Sequence, residues 1–127
     1  MAIPSATTVA RPHELRDPAA REEGGLSGKP LFGRSTRMLA ETFVRVDRAF
    51  PLIGVGGVDS GAAALAKIEA GATLVQLYTA LVFRGLGLID EIKGELARLL
   101  QRNGYASVAA AVGGEAASIT SAPWPQQ

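Results

Sequence analysis

The sequence predicts an α/β fold built on parallel strands, and three observations carry that expectation. The stretch from Pro51 to Thr79, PLIGVGGVDSGAAALAKIEAGATLVQLYT, reads as strand, glycine turn, helix and strand with hardly a residue to spare. A unit so compact implies parallel strands with the helix packed on one face. Two flanking segments, Pro30 to Asp47 and Leu86 to Arg102, carry apolar residues at helical spacing and would cover the sheet. Glycines gather where the first of these strands ends, which marks that end as the place where backbone must pass close to something.

Met1 to Thr8, MAIPSATT, is apolar at its start and hydroxyl-rich at its end, as the tail of a strand would be. A chain that opens inside a strand is expected to be a truncated one. Val9 to Lys29 follows as a long polar stretch with two prolines, three glycines and dense mixed charge. Such a segment reads as a lid or a disordered loop, and Gly24, Gly25 and Gly28 around Leu26 and Ser27 favour the lid. His13, between a proline and a glutamate in that loop, is read as solvated surface and is assigned no chemistry.

From Pro30 to Asp47, Leu39, Phe43 and Val46 form a stripe while Arg37, Glu41 and Arg45 face elsewhere, which predicts an amphipathic helix. Leu52, Ile53 and Val55 are too short a run for a helix and predict a buried strand. Asp59 or Ser60 would cap the next helix, Leu65 and Ile68 would give it an apolar face, and Gly71 stands where a left-handed residue ends it. Leu74, Val75 and Leu77 form the second strand. Beyond it, Ala80 to Arg84 would make a short helical turn with Thr79 as N-cap. Ile89, Ile92, Leu96, Leu99 and Leu100 then mark a long helix, weakened at Gly94 by about 1 kcal/mol relative to alanine and ended by Gly104. Ser107 to Val112 suggests a last short helix. Gly113 to Gln127 is small, polar and proline-bearing, and is expected to be a disordered tail behind a partial domain of residues 1–112.

The chemistry follows from the glycines. Without Cβ atoms, Gly54, Gly56 and Gly57 let backbone N–H groups approach an anion ahead of a helix, and phosphate is the natural guest. The glycines alone fit a tight turn with no ligand equally well. Tyr78 and Thr79 tip the balance, since they end the next strand on the same side, and grips from the last two strand-end loops recur in eight-stranded α/β barrels. A dinucleotide-binding unit fits poorly: Asp59 stands where the third glycine of its fingerprint belongs, and Gln76 and Tyr78 stand where a ribose-binding acid is expected. About three strands and three major helices amount to less than half of such a barrel. The missing strands are therefore expected from another polypeptide or from a longer chain.

Composition narrows the function further. At 127 residues and 47% hydrophobic content the chain can bury a core. Thirteen basic against twelve acidic residues give no electrostatic case for nucleic acid or an anionic membrane. No cysteine and a lone histidine exclude thiolate and histidine-rich metal sites. No apolar run would span a bilayer, and no signal peptide is recognisable at the start, so a soluble, cytoplasmic chain is expected.

Four motifs carry a specific resemblance: GGLSGKPL from Gly24, STRMLAET from Ser35, PLIGVGGVDSG from Pro51 and AGATLVQLYTALVFRG from Ala70. In this order and spacing they resemble the C-terminal part of the quinone-dependent dihydroorotate dehydrogenases, from about Ile3 to Val112. The resemblance implies the C-terminal portion, about three βα units, of a TIM-type barrel carrying FMN, which oxidises dihydroorotate to orotate in pyrimidine synthesis and passes electrons to a quinone. It implies that Gly28 and Gly57 contact FMN, that Tyr78 and Thr79 grip its phosphate, that Ser5 lies near the flavin and that Thr7 touches substrate. Ala6 departs from the pattern, since the family carries asparagine there to bond the pyrimidine. Leaving that buried partner unpaired would cost about 1–3 kcal/mol. The family's catalytic serine base falls on no position of this chain, nor does the N-terminal segment that attaches the enzyme to the inner membrane. The isolated chain is therefore expected to show no turnover and weak FMN binding. A non-catalytic phosphate-binding or oligomerising half-barrel, or one half of a split enzyme, is the competing reading.

Overall fold

The computed structural model describes residues 1–13 and 15–125. Two short parallel strands, β1 (Ile53–Gly54) and β2 (Leu74–Val75), pair with Ile53 opposite Leu74 and Gly54 opposite Val75. Ala2 adds a parallel bridge on the far side of β1: its N–H donates to the Pro51 carbonyl at 3.1 Å, and its carbonyl accepts from Ile53 at 2.9 Å. Pairing is shorter than the apolar runs suggested, leaving Val55 and Leu77 past the strand ends, at the cavity described below.

Helices flank this small sheet. α1 (Phe32–Val46) follows a 3-10 turn over Lys29–Leu31, and buries Leu39 and Ala40 against Leu52, Ala70 and Ala72. α2 (Gly61–Glu69) connects β1 to β2, and the capping question resolves to Ser60, whose Oγ accepts from the Ala63 N–H at 3.1 Å. α3 (Thr79–Arg84) follows β2, and α4 (Gly87–Arg102) packs along α2. That packing is close because Gly61 has no side chain: a Cβ there would stand 2.5 Å from the Glu95 Cβ. The Gly61 N–H meets Glu95 Oε2 at 2.6 Å. α5 (Val108–Ala111) completes this layer, with Ser107 as its cap.

Two expectations are corrected. Thr79 is not an N-cap: α3 begins on it, Tyr78 takes the cap position with no side-chain bond, and the Thr79 hydroxyl instead meets Ser27 Oγ at 3.0 Å. The tail from Gly113 is not disordered over its described length, since Ala116–Ser121 forms α6 and docks on α1. The cause is Arg37, only 7% exposed, whose guanidinium donates to the carbonyls of Ile119 and Thr120 at 2.6 Å each and to that of Ala122. These are the carbonyls a helix end leaves without intrahelical partners. The same guanidinium lies 5.1 Å over the Trp124 ring, and Ala116 is buried beside Leu39 and Ala40. The expectation for Gln126 and Gln127 lies outside the described residues.

Candidate functional site

A cavity of about 590 Å³ opens where β1 and β2 end, walled by the 27–30 loop, the 55–59 turn, the 77–80 segment and the last residues of α3. Ligands of parallel α/β sheets bind at this carboxyl end of the strands. The turn after β1 is left-handed at Gly56 (φ +99) and Gly57 (φ +73), which residues bearing a Cβ rarely adopt. It also lies directly on the start of α1: a Cβ on Gly57 would stand 2.6 Å from the Phe32 Cβ, and one on Gly56 2.7 Å from Ser35 Oγ.

Across the cavity, the loop at Gly28 (φ +81) is fastened to the start of α3 through the Ser27–Thr79 hydroxyl contact. Among the described residues, the N–H groups of Gly57, Tyr78, Thr79 and Ala80 donate to no protein acceptor. Three of them, those of Tyr78, Thr79 and Ala80, belong to the first turn of α3, where a helix leaves its N–H groups free; Tyr78 is exposed and the other three residues are half-buried. The charges at the rim are mixed: Lys29 Nζ lies 3.5 Å from Asp59 Oδ2, and Arg84 donates to the Asp59 carbonyl at 3.2 Å and to Glu91 Oε2 at 2.7 Å.

Behind the turn stands Lys67 of α2, fully buried, with its Nζ 2.5 Å from Ser35 Oγ, 3.4 Å from the Phe32 carbonyl and 4.8 Å above the centroid of the Phe32 ring. Burial pulls its pKa down to about 7. No carboxylate lies within 4 Å of it among the described residues.

Of the residues singled out in the sequence, Thr7, Gly28, Gly57, Tyr78 and Thr79 stand together on the cavity wall. Ser5 does not; its hydroxyl donates to the Thr7 carbonyl at 3.5 Å. Ala6, the departure from the family pattern, is on the wall beside Thr7. Ser27, Asp59 and Arg84 also line it, and the sequence held only the Ser27 signal, inside GLSG. His13 is exposed in its loop. No group of acidic, histidine or cysteine side chains able to hold a metal occurs among the described residues, and no helix is long and apolar enough to cross a membrane.

Parallel strands joined through a helix, a glycine turn at the strand end and a cavity lined by acceptor-free amides place the chain among α/β proteins with a ligand cavity at the strand ends. The chain belongs to the dihydroorotate dehydrogenase family, whose model matches residues 1–100. It is 60% identical over 124 residues to the dihydroorotate dehydrogenase (quinone) of Bradyrhizobium sp. strain BTAi1, covering 97% of this chain and 34% of that protein. Against the enzyme of the same name from Rhodopseudomonas palustris strain TIE-1 the identity is 61% over 120 residues, 94% of this chain and 33% of the relative. The fold superposes on a ligand-free DHODH from Eimeria tenella with a TM-score of 0.84 at 33% identity, covering 89% of this chain and 32% of that one. The chain thus spans about a third of the length of the curated relatives it matches.

Proposed function

We propose that this chain forms the last three βα units of an eight-stranded barrel that oxidises dihydroorotate to orotate with a quinone as final acceptor, and that it supplies the phosphate grip for FMN. The observation that carries this reading is the joining of Gly28, Gly57, Tyr78 and Thr79 around one cavity whose amides have no protein acceptor. Gly56 and Gly57 let this turn seat against the start of α1, where a Cβ on either would collide with Phe32 or Ser35. FMN, when bound, supplies the hydride acceptor for the oxidation.

The residues of this chain would bind and orient. N–H groups of Gly57, Tyr78 and Thr79 would surround the phosphoryl oxygens, in a setting where charge-assisted bonds are about twice as strong as neutral ones. Gly28, held by the Ser27–Thr79 contact, would let the 24–28 backbone close over the flavin as a lid. Thr7 would offer its hydroxyl to the substrate, while Ala6 would leave one polar atom of the pyrimidine unmet. The base that removes the substrate proton would come from elsewhere in the barrel, as would the segment that attaches the enzyme to the inner membrane.

A second reading, one half of a split barrel, draws on a specific feature. Leu74 in β2 is 52% exposed, and Phe83 and Leu86 beyond it are 83% and 76% exposed. An apolar surface of this kind is normally covered by further polypeptide. Titrating the purified chain with FMN and with riboflavin, read by flavin fluorescence, tests the phosphate grip. FMN is expected to bind at least tenfold tighter, and equal affinities would refute the grip. A dihydroorotate-dependent dye reduction by the chain alone would refute the expectation that its chemistry needs the rest of the barrel.

A further inference from the structure

The buried ammonium of Lys67 has no place in the chemistry above, yet it sits one side chain away from the phosphate-facing turn. We propose that Lys67 is a positioning residue: acting through Ser35, it fixes the peptide plane between Gly56 and Gly57 so that the Gly57 N–H faces the cavity. The inference rests on reading that cavity as a phosphate site.

The argument is one of donors and acceptors. In its ammonium form, held below a pH of about 7, Lys67 only donates, so Nζ at 2.5 Å then occupies a lone pair of Ser35 Oγ. The single hydroxyl proton of Ser35 is then left for one of two carbonyls, Gly56 at 3.2 Å or Phe32 at 3.1 Å. The Phe32 carbonyl already receives the Thr36 hydroxyl at 2.7 Å and Lys67 itself at 3.4 Å. Gly56 has no such surplus, so the Ser35 proton goes to its carbonyl. No cis peptide bond occurs among the described residues, and in a planar trans peptide the C=O and the following N–H point in opposite directions. Pinning the Gly56 carbonyl inward against Ser35 therefore turns the Gly57 N–H outward, toward the cavity that Gly57 lines.

Both glycines make this support necessary. At φ +99 and +73 they occupy backbone regions in which glycine is most free, so nothing in their own side chains holds the plane. Lys67, by contrast, is anchored on a nine-residue helix and is fully enclosed. Its surroundings contribute no competing charge within contact distance: Ser35 and Phe32 face it from α1, and the side chains of Ala72 and Lys67 close together over Gly54 of β1.

The test uses the full chain with two variants, Lys67→Met and Ser35→Ala, compared with wild type below the Lys67 pKa of about 7 by flavin titration and by backbone-amide relaxation in nuclear magnetic resonance. Each variant is expected to lose about tenfold in FMN affinity, as for one well-placed hydrogen bond. Riboflavin, which lacks the phosphate, should bind each with less than a twofold change. The double variant should be no weaker than either single one, because both cut the same chain of bonds. Without ligand, the backbone order parameters of the Gly56 and Gly57 amides should fall in both variants while those of amides in α4 stay as they are. A general loss of packing would weaken both flavins together and lower backbone order everywhere, and that result would overturn the proposal. Unchanged order at the two glycines would overturn it as well. Should the wild-type chain bind neither flavin, the phosphate reading would fall, and the order of the two glycines would still decide whether Lys67 sets the turn. Ser35→Ala keeps the test open if Lys67→Met does not fold.

Discussion

Replacing Gly57 by alanine places a methyl group where Phe32 already stands. Two penalties follow, and they are separable. The backbone at φ +73 is left-handed, which costs a residue with a Cβ roughly 1–2 kcal/mol. The new carbon would also lie 2.6 Å from the Phe32 Cβ and 2.9 Å from its Cα, against an optimal carbon–carbon separation of about 3.5–4.0 Å. Relief requires the turn to lift off α1, and overpacking of this kind costs roughly 1–3 kcal/mol. Together they give a loss of roughly 2–5 kcal/mol, a large share of the stability of an ordinary domain. Gly104 supplies the control, since its φ of +75 matches that of Gly57 but nothing lies within 4 Å of its would-be Cβ. Urea denaturation should show Gly104→Ala losing only the backbone share, with FMN binding intact, and Gly57→Ala losing both shares together with FMN binding. Equal destabilisation in the two variants would refute the close approach of the turn to α1.

Two further outcomes are expected alongside those for the flavins and for Lys67 given above. Arg37→Met should cost roughly 2–4 kcal/mol, because it strips bonds from several α6 carbonyls, and hydrogen exchange should show α6 losing protection before α1. The pH dependence of stability should carry the mark of Lys67, whose folded pKa of about 7 lies below its ordinary 10.5 because burial disfavours the charge. Between those values the unfolded chain binds the extra proton, so the contribution to stability rises with pH from about 7 to 10.5 and is constant below. It is of the order of a few kcal/mol, and Lys67→Met should flatten that part of a urea-midpoint profile.

What could be read from the sequence was what neighbouring residues decide among themselves. The stripe of Leu39, Phe43 and Val46 located α1 to within two residues at its start and one at its end, and Ser60 and Gly71 bounded α2. Of the wall residues, Gly57, Tyr78 and Thr79 were legible because each sits inside a motif tied to a strand end, and Gly28 only through the resemblance carried by its GLSG motif. The failures share a cause, which is dependence on a distant partner. α6 has little reason to form from SITS alone, and its support is an arginine more than eighty residues earlier. Thr79 has the side chain of a cap but spends its hydroxyl on Ser27, across 52 residues. Lys67 beside Leu65 and Ile68 looks like the polar edge of a helix, and only the arrival of Ser35 makes it an interior group. Strand length was overestimated because apolar runs report burial, whereas pairing depends on which neighbours are present.

The stacking of Arg37 on Trp124 gives the protein a built-in optical gauge. Trp124 is the only indole in the sequence, and it stands at the point where the end of the chain is tied to the helix that props the glycine turn. Its emission colour should therefore report whether that tie is made, with no dye attached, and a shift toward longer wavelength ahead of global melting would reveal the tail peeling away first.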